Sequence, residues 1–285
     1  MIQTFGESKR ISEGLRKVLN AHGYNFQYAI LRYAETLFSS GDLDWVFEAA
    51  EFPVITGGET THIDFMLRSR SGSTYLVAEC KRVDPARGNW CFARVPYTRR
   101  DSLGNKLIFD QFRCRPVPLL TQEPLIHTTN RSVYHLGREL KTEMKGNGTS
   151  QPGPAINQAI TQVMRGTSGL INYLFKLGNP SYKEQKLIKI ISAIFTTAQL
   201  WVTEADLGAA EITTGELPLE AVQAERADWI WCNYNRSPSL RHDLEWGNIR
   251  DNLSKELEYE FTRSIAIISP KGIENFLKTR PEEFL

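Results

Sequence analysis

Two carboxylates and a lysine, Asp64, Glu79 and Lys81, lie close together in the sequence on either side of a turn signal at Ser71 and Gly72. Serine and glycine are favoured in tight turns, so this segment is predicted to fold as a β-hairpin. Because side chains alternate between the faces of a strand, Glu79 and Lys81 are expected to project on the same side. Carboxylate oxygens that converge on one point are ligands for Mg²⁺ or Mn²⁺, and a neighbouring ammonium group stabilises developing negative charge. These residue types are suited to metal-assisted hydrolysis.

The hydrophobic pattern predicts one register for this hairpin. If the numbers of facing residues sum to 143, one face is an unbroken apolar set: Ile63 with Cys80, Phe65 with Ala78, and Leu67 with Leu76. The opposite face then pairs Asp64 with Glu79, and His62 with Lys81. Like charges that face each other destabilise a sheet, and a bound divalent cation would offset their repulsion. The alternative is the solvated polar face of an ordinary antiparallel hairpin.

These residues resemble the signature of the PD-(D/E)XK nucleases, the restriction-endonuclease-like superfamily. The resemblance rests on Thr61-His-Ile-Asp64 and on Leu76-Val-Ala-Glu-Cys-Lys81, with Ile63 at the proline position of the motif. It implies Mg²⁺-dependent hydrolysis of phosphodiester bonds, with DNA as the expected substrate of an endonuclease. By the same resemblance, Asp64, Glu79 and the backbone carbonyl of Cys80 would hold Mg²⁺ (or Mn²⁺), and Lys81 would orient the attacking water.

The resemblance also suggests supporting residues on two helices. Superfamily members often add a carboxylate from the helix before the first core strand, and Glu35 resembles it, although it could equally be a solvent-facing helix residue. Many carry a glutamine on the helix after the Glu-x-Lys strand, where Gln158 is expected and Gln162, one turn later, is the alternative. His62 faces Lys81 in the predicted register, where it would contact a phosphate or the metal's outer shell, or fill an edge position of the strand.

A basic segment follows the hairpin. Residues 81–115 contain nine lysines and arginines against three aspartates, a local charge of +6 in a chain whose net charge is +1. Arginines bind phosphates and interleaved aromatic side chains stack on bases. Nucleic-acid contacts are therefore expected from Arg82, Arg87, Arg94, Arg99 and Arg100. The alternative is that this segment pairs with the acidic stretch 204–225 or with another subunit, and a homodimer is compatible with the sequence.

The rest of the chain predicts the elements that position the hairpin. Helical periodicity covers residues 8–22, 25–39, 155–175 and 272–278, with Gly166 and Gly169 weakening the third helix. Strand patterns cover 44–81 as three consecutive strands, and then 187–202, 228–234 and 263–270. We expect an α/β fold in one domain, 1–285, although two small domains would also fit the length of the chain. The resemblance implies the αβββαβ core of the restriction-endonuclease-like fold. A mixed central sheet flanked by helices would carry a large insertion, 85–152, after the third strand.

Composition narrows the choice of partners. The net charge of +1 and pI of about 7.7 give no overall attraction for polyanions or membrane surfaces, so nucleic-acid affinity must come from a local patch. The start of the chain lacks the apolar core of a signal peptide, and polar residues interrupt the longest apolar run, 187–202, so neither export nor membrane spanning is expected. The four cysteines form no C-x-x-C pair and are expected to be reduced thiols of a cytoplasmic protein, in preference to zinc ligands or disulfides.

Two other functions compete with the nuclease hypothesis. The same fold could serve as a non-catalytic or weakly catalytic nucleic-acid-binding module, although the intact Asp64, Glu79 and Lys81 argue against a decayed site. A carboxylate-pair hydrolase that acts on sugars is the other alternative, but Lys81 and the basic segment fit a phosphate better than a neutral glycan.

Overall fold

The structure, a computed structural model, describes residues 2–21, 23–41, 43–94, 105–114, 121–140, 154–177, 186–235 and 262–284. Helices α1 to α4 are Ile2–Ala21, Tyr24–Ser39, Pro154–Leu177 and Ile273–Lys278. Strands β1 to β6 are Trp45–Thr56, Glu59–Ser69, Thr74–Lys81, Asn89–Ala93, Lys106–Cys114 and Thr121–Thr128. Strands β7 to β13 are Val133–Tyr134, Leu136–Leu140, Lys186–Thr196, Gln199–Thr203, Glu225–Ala227, Trp229–Asn235 and Thr262–Ile268.

The central sheet mixes parallel and antiparallel strands, as the sequence predicts. Its order is β1-β2-β3-β9-β13-β12-β7, with β5 and β6 attached beside β9. The first three strands form an antiparallel meander, whereas β9 is parallel to β3 and β13 and antiparallel to β5. Strand β3 lies inside this sheet, where β2 pairs with its first part and β9 pairs with its whole length, including the Glu-x-Lys end.

Two tight turns hold the meander together. Gly57 and Gly58, between β1 and β2, have φ values of 58° and 82°, which L-residues with side chains rarely adopt. Gly72, between β2 and β3, has φ 69°, and the Ser69 hydroxyl accepts hydrogen bonds from the backbone N–H groups of Ser73 and Thr74. The predicted turns at both positions are therefore confirmed.

Helices cover both faces of the central sheet. On one face, α3 and a smaller sheet of order β11-β10-β4-β8 enclose a core that includes Ile63, Val77 and Trp90. On the other face, α2, α4 and Phe284 pack on Phe65, Leu76 and Phe195. The fold is thus an α/β arrangement with helices on both sides of a mixed sheet.

The predicted helix 155–175 is confirmed as α3, and it continues through Gly166 and Gly169. A Cβ atom at Gly169 would lie 2.5 Å from Val54 Cγ2, and one at Gly166 would lie 3.0 Å from Ile63 Cγ1. The absence of side chains therefore lets α3 approach β1 and β2 closely. The Thr56 hydroxyl donates a hydrogen bond of 2.9 Å to the Arg165 carbonyl in the same contact.

The predicted strand 187–202 is in fact two strands, β9 and β10, that belong to different sheets. A bend at Thr197 and Ala198 separates them, and Thr196 Oγ1 accepts a hydrogen bond from the Ala198 N–H. Thr197 contacts the chain just beyond the Glu-x-Lys strand, because its N–H binds the Lys81 carbonyl and its hydroxyl accepts from the Val83 N–H. Polar residues at the bend thus tie β9 to the end of β3.

The segment between β3 and α3 joins both sheets. β4 and β8 lie in the smaller sheet, whereas β5 and β6 extend the central one. A buried ion pair, Arg263 Nε to Asp110 Oδ1 at 2.8 Å, connects β13 to β5, with both side chains 4% exposed. The predicted boundary loop at 146–154 lies outside the described residues, apart from Pro154, which begins α3.

Three further expectations concern the surface and the cysteines. Helix α1 begins earlier than predicted, at Ile2, and its apolar residues Ile11, Leu15, Val18 and Leu19 are all more than half exposed. No helix in the described part of the chain is long and apolar enough to cross a membrane. Among the described residues, Cys80, Cys91 and Cys232 are free cysteines. The side chain of Cys114 lies outside the described residues.

Candidate active site

The β2–β3 hairpin has the predicted register. Phe65 pairs with Ala78 and Leu67 with Leu76, so the numbers of facing residues sum to 143. The paired region begins at Phe65 and Ala78, which leaves Asp64 just beyond it on β2. On the other edge of β3, pairing with β9 continues to Lys81. The two carboxylates thus lie where β2 parts from β3 while β3 remains held by β9.

The Asp64 side chain takes the place of a backbone partner at this point. Its Oδ2 atom accepts a hydrogen bond of 2.6 Å from the Cys80 N–H. The predicted unbroken apolar face is wrong at Ile63, because Ile63 packs with the α3 core whereas Phe65 and Cys80 belong to the core on the opposite face. The alternation of faces is therefore interrupted at Asp64, and its carboxylate bridges the gap to β3.

Glu79 is a buried residue whose carboxylate has no hydrogen-bonding partner among the residues that the structure describes. The residue is 6% exposed, and no hydrogen bond or ion pair to its side chain is found within the described part of the chain. Burial, and then the charge of Asp64, raises the pKa of Glu79 to about 8, while Lys81 acts in the opposite direction. A buried charge is costly unless it is paired or coordinates a metal ion, so this group is suited to bind a cation.

The pKa of Asp64 is also raised, but less than that of Glu79. Burial raises its pKa to about 6, with a further rise from the charge of Glu51, whereas the Cys80 N–H and Lys81 favour the ionised form. Burial also raises the pKa of the Cys80 thiol well above its usual value. The site therefore brings acidic groups together in a region of low solvent exposure, where their ionised forms are disfavoured without a bound cation.

Lys81 extends from the same strand toward helix α3. Its Nζ atom donates to Gln158 Oε1 at 2.8 Å and lies 3.5 Å from Gln162 Oε1. Gln158 and Gln162 are one turn apart on α3, so both glutamines that the sequence offered lie beside the lysine. Because α3 is brought close to the sheet by Gly166 and Gly169, the packing of the helix determines where the ammonium group is held.

Two site residues, Glu51 and Gln27, were missed by sequence reasoning. Gln27 Nε2, on α2, donates to Glu51 Oε1 at 2.8 Å and to the Asp64 carbonyl at 2.6 Å. The sequence did contain a signal for Glu51. A hairpin that turns tightly at Gly57 and Gly58 pairs residues whose numbers sum to 115, and this register places Glu51 opposite Asp64. No sequence signal distinguished Gln27 from other polar residues of its helix.

Glu35 and His62 are not at the site. Glu35 is on α2 but about 12 Å further along the axis than Gln27, given the helical rise. It is exposed, pairs with Arg32, and lines an apolar cavity of about 490 Å³ beside Trp45. His62 is exposed and pairs with Pro53 of β1, outside the β2–β3 ladder, so the predicted pairing with Lys81 is wrong.

The predicted nucleic-acid contacts differ in their surroundings. Arg82 is exposed directly after Lys81, and Arg87 ends a short 3₁₀ segment, Pro85–Arg87. Arg94 instead forms an ion pair of 3.4 Å with Glu204, which is the pairing with the acidic stretch that the sequence left open. Arg99 and Arg100 lie outside the described residues.

The donor set fits a hydrated divalent cation better than a fully protein-bound one. Within the described residues, no cluster of three or more His, Cys, Asp or Glu side chains is arranged to hold a metal ion by itself. Mg²⁺ is usually held by one or two carboxylates and keeps several waters, which matches Asp64, Glu79 and a main-chain carbonyl. The Cys80 carbonyl oxygen faces Gly23, where a Cβ atom would lie 3.6 Å away.

Comparison of this chain with protein-family models, with curated proteins and with solved structures finds no match in any of the three.

Proposed function

We propose that this protein is a metal-dependent nuclease of the PD-(D/E)XK type, acting on nucleic acid with DNA as the favoured substrate. The observation that carries the proposal is Glu79, a buried carboxylate without a partner among the described residues, with Asp64 and Lys81 beside it. Two carboxylates with raised pKa values and an adjacent ammonium group make the arrangement expected where a divalent cation neutralises the carboxylates during catalysis.

The arrangement of elements supports the same class. The order α2, β1, β2, β3, α3, β9 resembles an αβββαβ core, with the Glu-x-Lys strand β3 inside the sheet and parallel to β9. The segment between β3 and α3 is then the insertion into a single domain. This likeness adds to the proposal, but the site carries it, because one fold hosts many functions.

Each residue has a role in hydrolysis. Asp64 and Glu79, with the Cys80 carbonyl, would hold Mg²⁺ or Mn²⁺. The ion, when bound, supplies Lewis-acid stabilisation of the phosphate and of the nucleophilic water. Lys81, whose Nζ is held by Gln158, orients the attacking water and stabilises negative charge on the phosphate in the transition state. Arg82 and Arg87 contact the phosphate backbone on either side.

The proposal is tested by incubating the purified protein with supercoiled plasmid, linear duplex DNA, single-stranded DNA and RNA, with Mg²⁺ or with EDTA. Cleavage of at least one substrate is expected with Mg²⁺ only. Asp64→Asn and Glu79→Gln should lower the rate by more than about 100-fold, because each removes a metal-binding charge. The matched control is Glu48→Gln, since Glu48 is an exposed carboxylate of β1 that pairs with Arg68.

The outcomes separate the competing functions. Cleavage that persists in Asp64→Asn and Glu79→Gln would show that the site assignment is wrong. Mg²⁺-independent binding of DNA without cleavage would instead favour the non-catalytic binding module on the same fold.

A further inference from the structure

Glu51 lies opposite Asp64 across the first hairpin. It falls between the Ala50–Phe65 and Phe52–Ile63 pairs of the β1–β2 ladder. Gln27 Nε2 connects the two residues, because it donates to the Glu51 carboxylate and to the Asp64 carbonyl. A third carboxylate therefore stands on the strand that precedes the two residues of the motif.

The backbone at Glu51 is held in an unusual conformation. Its φ of 49° is the one positive value at a non-glycine residue in the described part of the chain. Left-handed conformations at residues with a Cβ atom are strained, and they persist where the surrounding structure imposes them, often at functional sites. The Glu51 side chain is exposed, so its own packing does not impose this conformation.

Gln27 is the contact that fixes Glu51 relative to Asp64. It is 6% exposed on α2, and its two amide hydrogens reach Glu51 Oε1 and the Asp64 carbonyl, at 2.8 and 2.6 Å. A single side-chain amide thus joins the third carboxylate to the main chain of the motif aspartate. An amide donates to both groups without adding charge, whereas a lysine or arginine would neutralise the site.

We propose that Glu51 is an outer carboxylate of the metal site, positioned by Gln27, which accepts hydrogen bonds from water molecules on the divalent cation that Asp64 and Glu79 hold. This inference rests on the proposed function. Glu51 acts through water because no three acidic side chains among the described residues are arranged to hold a metal ion directly. Mg²⁺ and Mn²⁺ sites keep bound waters, and partners in the outer shell tune affinity by holding them.

The test uses Mn²⁺ as the probe, measured by isothermal titration calorimetry on the full chain. Glu51→Gln keeps an oxygen that accepts the Gln27 hydrogen bond but removes the charge, so a loss of affinity does not come from a broken structural contact. We expect Mn²⁺ affinity to fall at least about 10-fold, the scale of outer-shell substitutions. Glu48→Gln, the same change three residues earlier on β1, should bind Mn²⁺ like the wild type.

A second variant tests the positioning role of Gln27. Gln27→Leu removes both hydrogen bonds while leaving every carboxylate in place, so its Mn²⁺ affinity should also fall, by less than that of Glu51→Gln. Melting of the EDTA-treated proteins serves as the second readout. Glu51→Gln should melt at or above the wild-type temperature because repulsion of Asp64 and Glu79 is relieved, whereas a merely structural role predicts a lower one.

The results separate this inference from the proposed function. If the wild type binds Mn²⁺ and cleaves, but Glu51→Gln binds Mn²⁺ as tightly as Glu48→Gln, the inference is overturned and the proposed function stands. If the wild type neither binds Mn²⁺ nor cleaves any substrate, the proposed function is overturned and the inference falls with it. Loss of affinity in Glu51→Gln with an undiminished melting temperature supports both.

Discussion

Replacing Glu79 with glutamine should make the metal-free protein more stable, and increasingly so as the pH rises. In the folded, metal-free protein Glu79 keeps its proton up to about pH 8, whereas an unperturbed glutamate ionises near 4.5. Between these pH values the folded protein binds more protons than the unfolded chain. The free energy of unfolding of the wild type therefore falls as pH rises through this window, and the fall is complete above the folded-state pKa.

The expected magnitude follows from the raised pKa. Because Glu79 is 6% exposed, solvent screens the charge of its carboxylate only slightly. A tenfold change in an ionisation equilibrium corresponds to about 1.4 kcal/mol, so between about pH 5 and about pH 8 the wild type should lose on the order of 3 kcal/mol relative to Glu79→Gln. Titrating groups that do not interact with Glu79 are common to both proteins and cancel in this difference.

The measurement is urea denaturation of EDTA-treated wild type and Glu79→Gln at several pH values. Adding Mg²⁺ at the highest pH should restore stability to the wild type but not to the variant, because a ligand that binds the folded state alone stabilises it. A difference between the two proteins that does not change with pH would show that Glu79 is not desolvated, and the reasoning about the site would fail.

Three further predictions concern the lysine, the buried ion pair and the basic segment. Lys81→Ala should keep Mn²⁺ affinity by calorimetry but lose turnover, and a variant that cannot bind Mn²⁺ would contradict this division of roles. Asp110→Asn removes the carboxylate charge from the buried ion pair with Arg263, so urea denaturation should show a loss of about 3–5 kcal/mol. A loss below about 1 kcal/mol would mean that the pair behaves as an exposed one. In DNA-binding assays with Ca²⁺, Arg82→Gln should reduce the slope of log affinity against log salt concentration by about 0.9. Arg94→Gln should change this slope little because Arg94 is paired with Glu204. Equal effects of the two arginine substitutions would refute that distinction.

Much of the fold could be predicted because it depends on local patterns. The change from helical to strand periodicity, the turn glycines at 57, 58 and 72, and the apolar sets of β2 and β3 are properties of neighbouring residues. The structure reproduces them except at Ile63, which packs in the α3 core. The register of the β2–β3 hairpin follows because a shift by one residue would exchange the buried and exposed faces.

Local sequence patterns predict only part of the candidate site. The sequence alone indicated Asp64, Glu79 and Lys81, and it offered Gln158 with Gln162, because each lies in a recognisable local pattern. It favoured Glu35 on α2, whereas the residue of that helix that contacts the site is Gln27. The helix phase and its packing on the sheet decide which of its residues points at the strands, and the periodicity of the helix itself contains no such information.

Tertiary packing alone decided three features of this protein. The apolar pattern of residues 187–202 predicts one strand. In the structure, Thr197 contacts the end of β3, and the segment is divided into two strands that belong to different sheets. The glycines of α3 weaken a helix in isolation, yet they allow it to approach β1 and hold Lys81. Glu51 takes a left-handed conformation that its residue type disfavours, and Gln27 joins it to Asp64. In each case the free energy of contacts between distant segments exceeds the local preference of the chain, so residues near in sequence do not reveal the outcome.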